Sequence, residues 1–269
     1  LTKKTSPLRI YIVTLFPKFI NDFADNFGIL KKAMVNKLLN ITAVDLRQFG
    51  LGERQIVDDR PYGGGVGMVL RPDVLYKAVE AAKKLQILCL RHIFTTNSKF
   101  QTKSKSKNTP RVILLTPQGK KFNQKEAHRL SQYNNLIFVC GRYEGFDERI
   151  RGFVDEELSI GDYVLMGGEL PALVISEAVM RLRPGILGKL ESTENESFSE
   201  SMLEYPQYTK PEEWRLKVKG KKDKVLSVPK VLRSGHHANI ETWRSDESHK
   251  RTKKRRPDLF ANVNITNQK

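Results

Sequence analysis

Residues 136–145 read Leu-Ile-Phe-Val-Cys-Gly-Arg-Tyr-Glu-Gly: an apolar β run, Leu136 to Cys140, that passes without a spacer into a loop bounded by two glycines. The stretch before it predicts a helix over Gln124 to Ser131 and, before that, a β run Arg111 to Leu115 ending in Thr116-Pro-Gln-Gly119. Behind it, a strand-like piece, Leu158 to Ile160, leads into Gly161-Asp-Tyr-Val-Leu165, and Gly167-Gly168 precede a helix from Glu169 to Met180 with Pro171 in its first turn. Further out, Leu8 to Leu15 reads as a buried first strand stopping at Phe16-Pro17. Lys18 to Leu39 carries one or two helices interrupted at Gly28, and Ile41 to Leu46 makes a second short strand. Pro72 to Leu85 predicts a helix, and Gln86 to Leu90 a strand. Strands alternating with helices specify an α/β layered domain with a largely parallel sheet.

Composition sets the outer limits. The chain has 269 residues, enough for a large domain plus a smaller one, and a formal charge of +17 that favours a polyanionic partner. Cys89 and Cys140 sit singly in apolar stretches and read as buried thiols of a reducing compartment. No apolar run has the length of a bilayer span, and the opening Leu-Thr-Lys-Lys-Thr-Ser-Pro lacks an apolar h-region, so the expectation is a cytoplasmic protein without membrane contact. Thr95 to Thr109 is polar and lysine-rich, a surface insertion. A boundary falls near Pro184-Gly185. We read residues 1–188 as the α/β domain, the acidic 189–204 as a linker or lid, and 205–269 as a small, mostly helical domain. From Trp214 to Arg256, 15 Lys or Arg face 4 Asp or Glu, densest at Lys253-Lys254-Arg255-Arg256.

Three glycine-bearing loops follow strands: Thr116 to Gly119, Gly141 to Gly145 and Ile160 to Gly168. In an open α/β sheet, ligands bind outside the carboxyl ends of the strands. None of the loops is a phosphate-binding P-loop or a dinucleotide fingerprint, which sets aside ATP hydrolysis and hydride transfer. Crowded glycines suit a flat, adenosine-like ligand held by main-chain groups, because a missing Cβ lets the backbone come close. The ionisable candidates are Asp59, Arg60, Arg142, Glu144, Asp162, Glu169, Arg181 and Glu196. Adjacent His236-His237 and the isolated His92, His128 and His249 do not make a zinc constellation, so no metal site is expected from them.

Taken together, Val57-Asp-Asp-Arg-Pro-Tyr-Gly-Gly-Gly-Val-Gly-Met68, Cys140-Gly-Arg-Tyr-Glu-Gly145 and Ser159-Ile-Gly-Asp-Tyr-Val-Leu-Met-Gly-Gly-Glu-Leu-Pro171 resemble the bacterial tRNA guanine-N1 methyltransferases of the SPOUT class. Tyr205-Pro-Gln-Tyr-Thr-Lys-Pro211, Val228-Pro229 and Ser234-Gly-His-His237 extend the resemblance, which runs from about Leu8 to Phe260. It implies an α/β domain closed by a trefoil knot, a helical tRNA-binding domain, and a homodimer with active sites at the subunit interface. It implies S-adenosylmethionine held by Leu115, Thr116, Pro117 and Gly119 on one wall and by Gly141, Tyr143, Glu144 and Gly145 on another. Ile160, Gly161, Tyr163, Leu165, Gly167, Gly168 and Pro171 would complete the pocket. The substrate it implies is a tRNA with G36 and G37, methylated at N1 of guanosine 37. Arg181 matches a family arginine near the reacting base. Glu196, in Ser192-Thr-Glu-Asn-Glu-Ser-Phe198, stands where the family's usual catalytic residue is an aspartate.

The candidate tRNA contacts are Asp59, Arg60, Arg142 and the Lys253, Lys254, Arg255, Arg256 patch. Guanine N1 becomes nucleophilic only when its proton leaves. A positioned carboxylate takes that proton while a guanidinium stabilises charge on O6. The resemblance also allows a Mg²⁺ dependence, though Glu144 and Glu196 do not by spacing define a magnesium site. Two other readings stand beside this one. They are a SPOUT-type RNA methyltransferase with a different target, and a non-catalytic RNA-binding protein that has kept the shell.

Overall fold

Alternate residues of the central strands face opposite sides of one sheet, and that alternation builds the first of two compact units. The computed structural model describes residues 6–93, 109–187, 197–198, 202–217 and 223–260, with the side chains of 87–93 excepted. Contacts divide the chain into Leu1–Leu190 and Glu191–Lys269.

In the first unit, β1 (Leu8–Thr14) leads through α1 (Pro17–Asn26) and α2 (Gly28–Val35) to β2 (Leu39–Asp45). The short β3 (Asp58–Asp59) and β4 (Val69–Leu70) pair antiparallel, and α3 (Pro72–Ile93) follows. Then come β5 (Arg111–Lys121), α4 (Gln124–Ser131), β6 (Asn135–Cys140), β7 (Glu156–Ser159) and α5 (Glu169–Arg181). The sheet order is β2-β1-β6-β5-β7, and every neighbouring pair is parallel. The α/β class with a parallel sheet is therefore as the sequence predicts.

Period-2 alternation assigns the two faces. Leu8, Ile10 and Ile12 of β1, with Leu136, Phe138 and Cys140 of β6, pack against Ile20, Ala24, Leu30, Leu130, Ala172, Ile175 and Val179 from α1, α2, α4 and α5. Tyr11 and Val13, with Ile137 and Val139, pack instead against Val74, Leu75, Ala78, Val79 and Ala82 of α3. Strands covered on both faces read as unbroken apolar runs, as β1 and β6 do. The breaks also have causes. Pro17 opens α1, where its missing N–H costs nothing, and Asn123 caps α4 by accepting from Glu126 N at 3.1 Å.

Two expectations are overturned. Gln86 to Leu90 is not a strand but part of α3, which runs to Ile93. A short apolar run has no periodicity that separates strand from helix, and continuity with the buried Ala78-Val79-Ala82 face decides it. Nor does β5 stop at Leu115. Leu115 pairs with Leu158, the chain departs over 116–119, and Lys120 pairs with Leu158 again. Gly119 permits the return, because a Cβ there would stand 2.5 Å from Leu158 N.

The second unit holds an antiparallel hairpin, β8 (Glu213–Leu216) with β9 (Lys224–Ser227), and a long helix α6 (His237–Arg255). Leu203 N donates to Thr252 Oγ1 at 2.9 Å and Ser248 Oγ to Leu203 O at 2.6 Å, tying residue 203 to a polar face of α6. The hairpin has no counterpart in the sequence reading of a mostly helical region.

Candidate functional site

Because β6, β5 and β7 are parallel neighbours, the loops that follow β6 and β7 emerge on one edge, beside the 116–119 departure inside β5. They enclose a cavity of about 350 Å³, within the range of small-ligand sites. Its lining comes from 114–118, from 141–151 apart from Arg149, and from 158–168 apart from Asp162, with Pro171 from the first turn of α5.

The loop after β6 is shaped by left-handed backbone at Tyr143 (φ 58°) and Gly145 (φ 110°). It is stitched to the distant glycine-rich segment. Glu144 N donates to Met68 O at 3.0 Å, Leu70 N to Gly145 O at 3.0 Å and Asp147 N to Leu70 O at 3.1 Å. The Glu144 side chain occupies the space beside Gly67, where a Cβ would stand 2.4 Å from Glu144 Cγ. The Val57–Met68 motif thus backs the cavity wall without lining it.

A buried charge cluster ties the other walls together. Glu169, 2% exposed at the start of α5, accepts from Thr14 Oγ1 at 2.7 Å and from Arg142 Nε at 3.1 Å, with Arg142 Nη2 at 2.9 Å. Arg142 Nη1 donates to Met166 O at 3.2 Å, and the guanidinium lies 4.3 Å from the centre of the Phe16 ring. Gly167 makes room for this arrangement, since a Cβ there would stand 2.3 Å from Arg142 Nε. Beside the cluster, burial and then the negative charge of Glu169 push the Cys140 thiol well above its ordinary value. Cys140 is therefore a packing residue and not a nucleophile. At another wall Arg151 donates to Glu157 Oε1 at 2.7 Å and to Gln118 Oε1 at 2.7 Å, and pairs with Glu148.

The sequence-predicted residues distribute unevenly over this geometry. Leu115, Thr116, Pro117, Gly141, Tyr143, Glu144, Gly145, Ile160, Gly161, Tyr163, Leu165, Gly167, Gly168 and Pro171 line the cavity. Gly119 does not; it abuts the β7 backbone. Arg142 lines the cavity but is engaged by Glu169 and Met166. Asp59 and Arg60 lie outside the lining, with Asp59 paired to Arg71 at 3.0 Å. Asp162 is outside it too and pairs with Lys121 at 2.9 Å. Arg181 is at the far end of α5, roughly 18 Å from the cavity end at the rise of an α-helix. Lys253, Lys254 and Arg255 form the last turn of α6, and Arg256, just beyond it, pairs with Asp258 at 2.6 Å. Glu196 and most of 189–204 lie outside the described residues, as do 94–108 of the predicted insertion. Gln118, Phe146, Asp147, Glu148, Arg151, Val164 and Met166 line the cavity without having been singled out. Gln118, Phe146, Asp147, Val164 and Met166 lie within two residues of the motif residues, so reading each loop whole would have found them, whereas Glu148 and Arg151 come from the helical turn beyond the Gly141–Gly145 loop. Among the described residues no group of three or more His, Cys, Asp or Glu is gathered to hold a metal ion, and no helix is long and apolar enough to cross a membrane.

Residues 8–262 match the family model described as tRNA (Guanine-1)-methyltransferase TrmD. The chain is 45% identical over 262 residues to the tRNA (guanine-N(1)-)-methyltransferase of Halalkalibacterium halodurans, covering 97% of this chain and 94% of that protein. Similar proteins of the same name come from Listeria monocytogenes, 42% identical, and Brevibacillus brevis, 45% identical, each covering 97% of this chain and 95% of the relative.

Proposed function

The chain belongs to the tRNA (guanine-1)-methyltransferase family, and we infer that it is an enzyme moving a methyl group from S-adenosylmethionine to N1 of guanosine 37 in tRNA with G36 and G37. The observation that carries this reading is a convergence. In a chain that matches the family from residue 8 to 262, the 116–119 departure of β5 and the loops after β6 and β7 meet at one cavity.

The cavity fits the donor. Its volume suits a small ligand, and glycine at 141, 167 and 168, where a Cβ would strike Phe146, Arg142 and Cys140, lets its walls pack together. Thr116, Pro117, Gly141, Tyr143, Gly161 and Leu165 would hold it, and Glu144 and Asp147 offer carboxylates beside it. When bound, S-adenosylmethionine supplies an electrophilic methyl carbon on a sulfonium, so the chain needs no covalent nucleophile. What the protein must supply is orientation, a proton acceptor and charge stabilisation. Glu196 takes the N1 proton, with Glu194 as the neighbouring alternative, and Arg181 meets the charge that grows on O6. A Mg²⁺ requirement is compatible with the family, and no step here depends on it.

Arg181 stands too far along α5 to reach the cavity end of its own helix, which supports a homodimer in which a second copy brings it to the site. The exposed apolar side chains of Val164, Met166, Leu170 and Val174, at the cavity rim and on α5, support the same reading. Sedimentation as a 30.8 kDa monomer only, at micromolar concentration, would contradict it. The basic second unit binds tRNA phosphates, and a tRNA substrate supports the expected cytoplasmic location.

The deciding experiment is methyl transfer from labelled S-adenosylmethionine to unmodified tRNA containing G36 and G37, with primer extension to locate the product. A stop at position 37 is expected. A stop elsewhere makes the protein a methyltransferase with another target, and cofactor binding without turnover on any matched tRNA makes it a non-catalytic RNA-binding protein.

A further inference from the structure

The cavity wall formed by 160–168 has an unusual support. Val164 and Met166 are 86% and 89% exposed, so within one chain their side chains bury almost nothing and cannot hold the wall by packing. Gly168 N is tied to Gly141 O at 3.0 Å, and Ser159 Oγ holds Gly161 at the other end. Between these anchors the hydrogen bond that Met166 makes is the one Arg142 donates to its carbonyl. Arg142 is in turn fixed by a chain of partners. Phe16 N donates to Thr14 Oγ1 at 2.9 Å, Thr14 Oγ1 donates to the Glu169 carboxylate, and that carboxylate holds Nε and Nη2 of Arg142. The Phe16 ring closes the circuit beneath the guanidinium. The end of β1, the loop after β6 and the start of α5 thereby converge on a single planar group.

We propose that Arg142 is a positioning residue for the donor cavity: locked by Glu169, Thr14 and Phe16, it sets the Met166 carbonyl and so the 160–168 wall, and does not contact tRNA. A guanidinium suits the task because its planar fork serves a carboxylate and a carbonyl at fixed angles, which an ammonium does not. The geometry also assigns Glu169 its purpose. A carboxylate buried this deeply needs a partner, and the pairing orients Arg142. The proposal takes the cavity as the donor site from the reading above.

The test compares Arg142→Lys, Arg142→Met, Glu169→Gln and the double variant Arg142→Lys/Glu169→Gln with the parent full-length protein. Hydrogen exchange of the peptide covering 160–168, measured without ligand, is the first readout. Calorimetric affinity for S-adenosylmethionine and the salt dependence of tRNA binding are the others. Arg142→Lys and Glu169→Gln should each raise exchange in 160–168 while β1 and β6 stay protected, and should weaken S-adenosylmethionine binding on the order of 10-fold. Arg142→Lys should fare no better than Arg142→Met, and the double variant should be no worse than the poorer single, because all break one circuit. The salt slope of tRNA binding should not change. Parental exchange and affinity in Arg142→Lys would show that charge alone suffices and would overturn the proposal. So would a flattened tRNA salt slope with unchanged exchange. If Glu169→Gln does not fold, Thr14→Val, which removes the hydroxyl that steadies Glu169, must raise exchange in 160–168 for the proposal to stand. A parent that binds no S-adenosylmethionine would end the donor reading, whereas the exchange response judges the role of Arg142 by itself.

Discussion

The carboxylate stem of Glu144 fills the space that a side chain on Gly67 would need, with only 2.4 Å separating Glu144 Cγ from an added Cβ. Gly67 also has a φ of +81°, which a side chain disfavours. Gly67→Ala should therefore strain the backbone by about 1–3 kcal/mol and displace Glu144 from the cavity. The expected results are a lower melting temperature and weaker S-adenosylmethionine binding by calorimetry. A variant with parental affinity would separate the glycine-rich segment from the site.

Gly141→Val and Gly167→Val should also weaken cofactor binding. The reason lies in the protein's own side chains, since neither residue has left-handed backbone. A Cβ on Gly141 would stand 2.7 Å from the Phe146 ring, and one on Gly167 would strike Arg142. If folded variants bind S-adenosylmethionine as the parent does, these walls are not part of its site.

Glu196→Gln should keep the fold and most cofactor binding while lowering single-turnover methylation by about 10²-fold, the usual scale for a lost acid–base group. Glu196→Asp should stay active. Rates measured across pH for these variants and for Glu194→Gln identify the base. A parental rate and pH profile in Glu196→Gln would exclude it, and a collapse in Glu194→Gln alone would move the role two residues upstream.

Neutralising Lys253, Lys254, Arg255 and Arg256 should weaken tRNA binding and flatten its salt dependence, because each lost phosphate contact releases fewer counterions. Arg256 should contribute least. Its guanidinium already pairs with Asp258 and lies 5.6 Å from the centre of the Phe198 ring. Equal effects from all four single variants would show that the Asp258 pair opens on binding.

Acid stability has an identifiable contributor in Glu126. Burial opposes its ionisation most strongly, yet the bonds from Lys120 and Arg129 together outweigh burial and hold the carboxyl below its ordinary value of 4.5. A depressed carboxylate stabilises the fold above the unfolded value, and that contribution is lost as pH falls through the folded one. Glu126→Gln should lower the melting temperature near neutral pH and make its decline below about pH 4.5 shallower. An unchanged slope would assign the acid response to other carboxylates.

How far the sequence reaches depends on the range of the interaction. Leu136–Cys140 and the loop behind it are legible because a strand buried on both faces is apolar throughout and its end is marked by glycine. Gln118 and Arg151 are adjacent in the cavity wall but far apart in the chain, and nothing local announces their hydrogen bond. The Arg142–Glu169 pair is illegible for the same reason, so the sequence offers Arg142 as a candidate tRNA contact without naming its partner. The return of β5 at Lys120 depends on where β7 lies, which is a tertiary fact. The hairpin of Glu213–Leu216 with Lys224–Ser227 is hard to read because each strand has only four residues, too few for the alternation of Trp214 and Leu216 to stand out in a basic region.

The departure and return of β5 make the width of the cavity on that side a matter of chain length. Leu115 and Lys120 are both fastened to Leu158, so the four residues between them form an arch with fixed feet. Substitutions at 116–118 alter its lining, Gly119 must keep its missing Cβ for the return, and the span of the arch is set by the number of residues in it. A one-residue insertion there would raise the arch while leaving both feet in register, enlarging the room for a bulkier donor without disturbing the sheet that supports it.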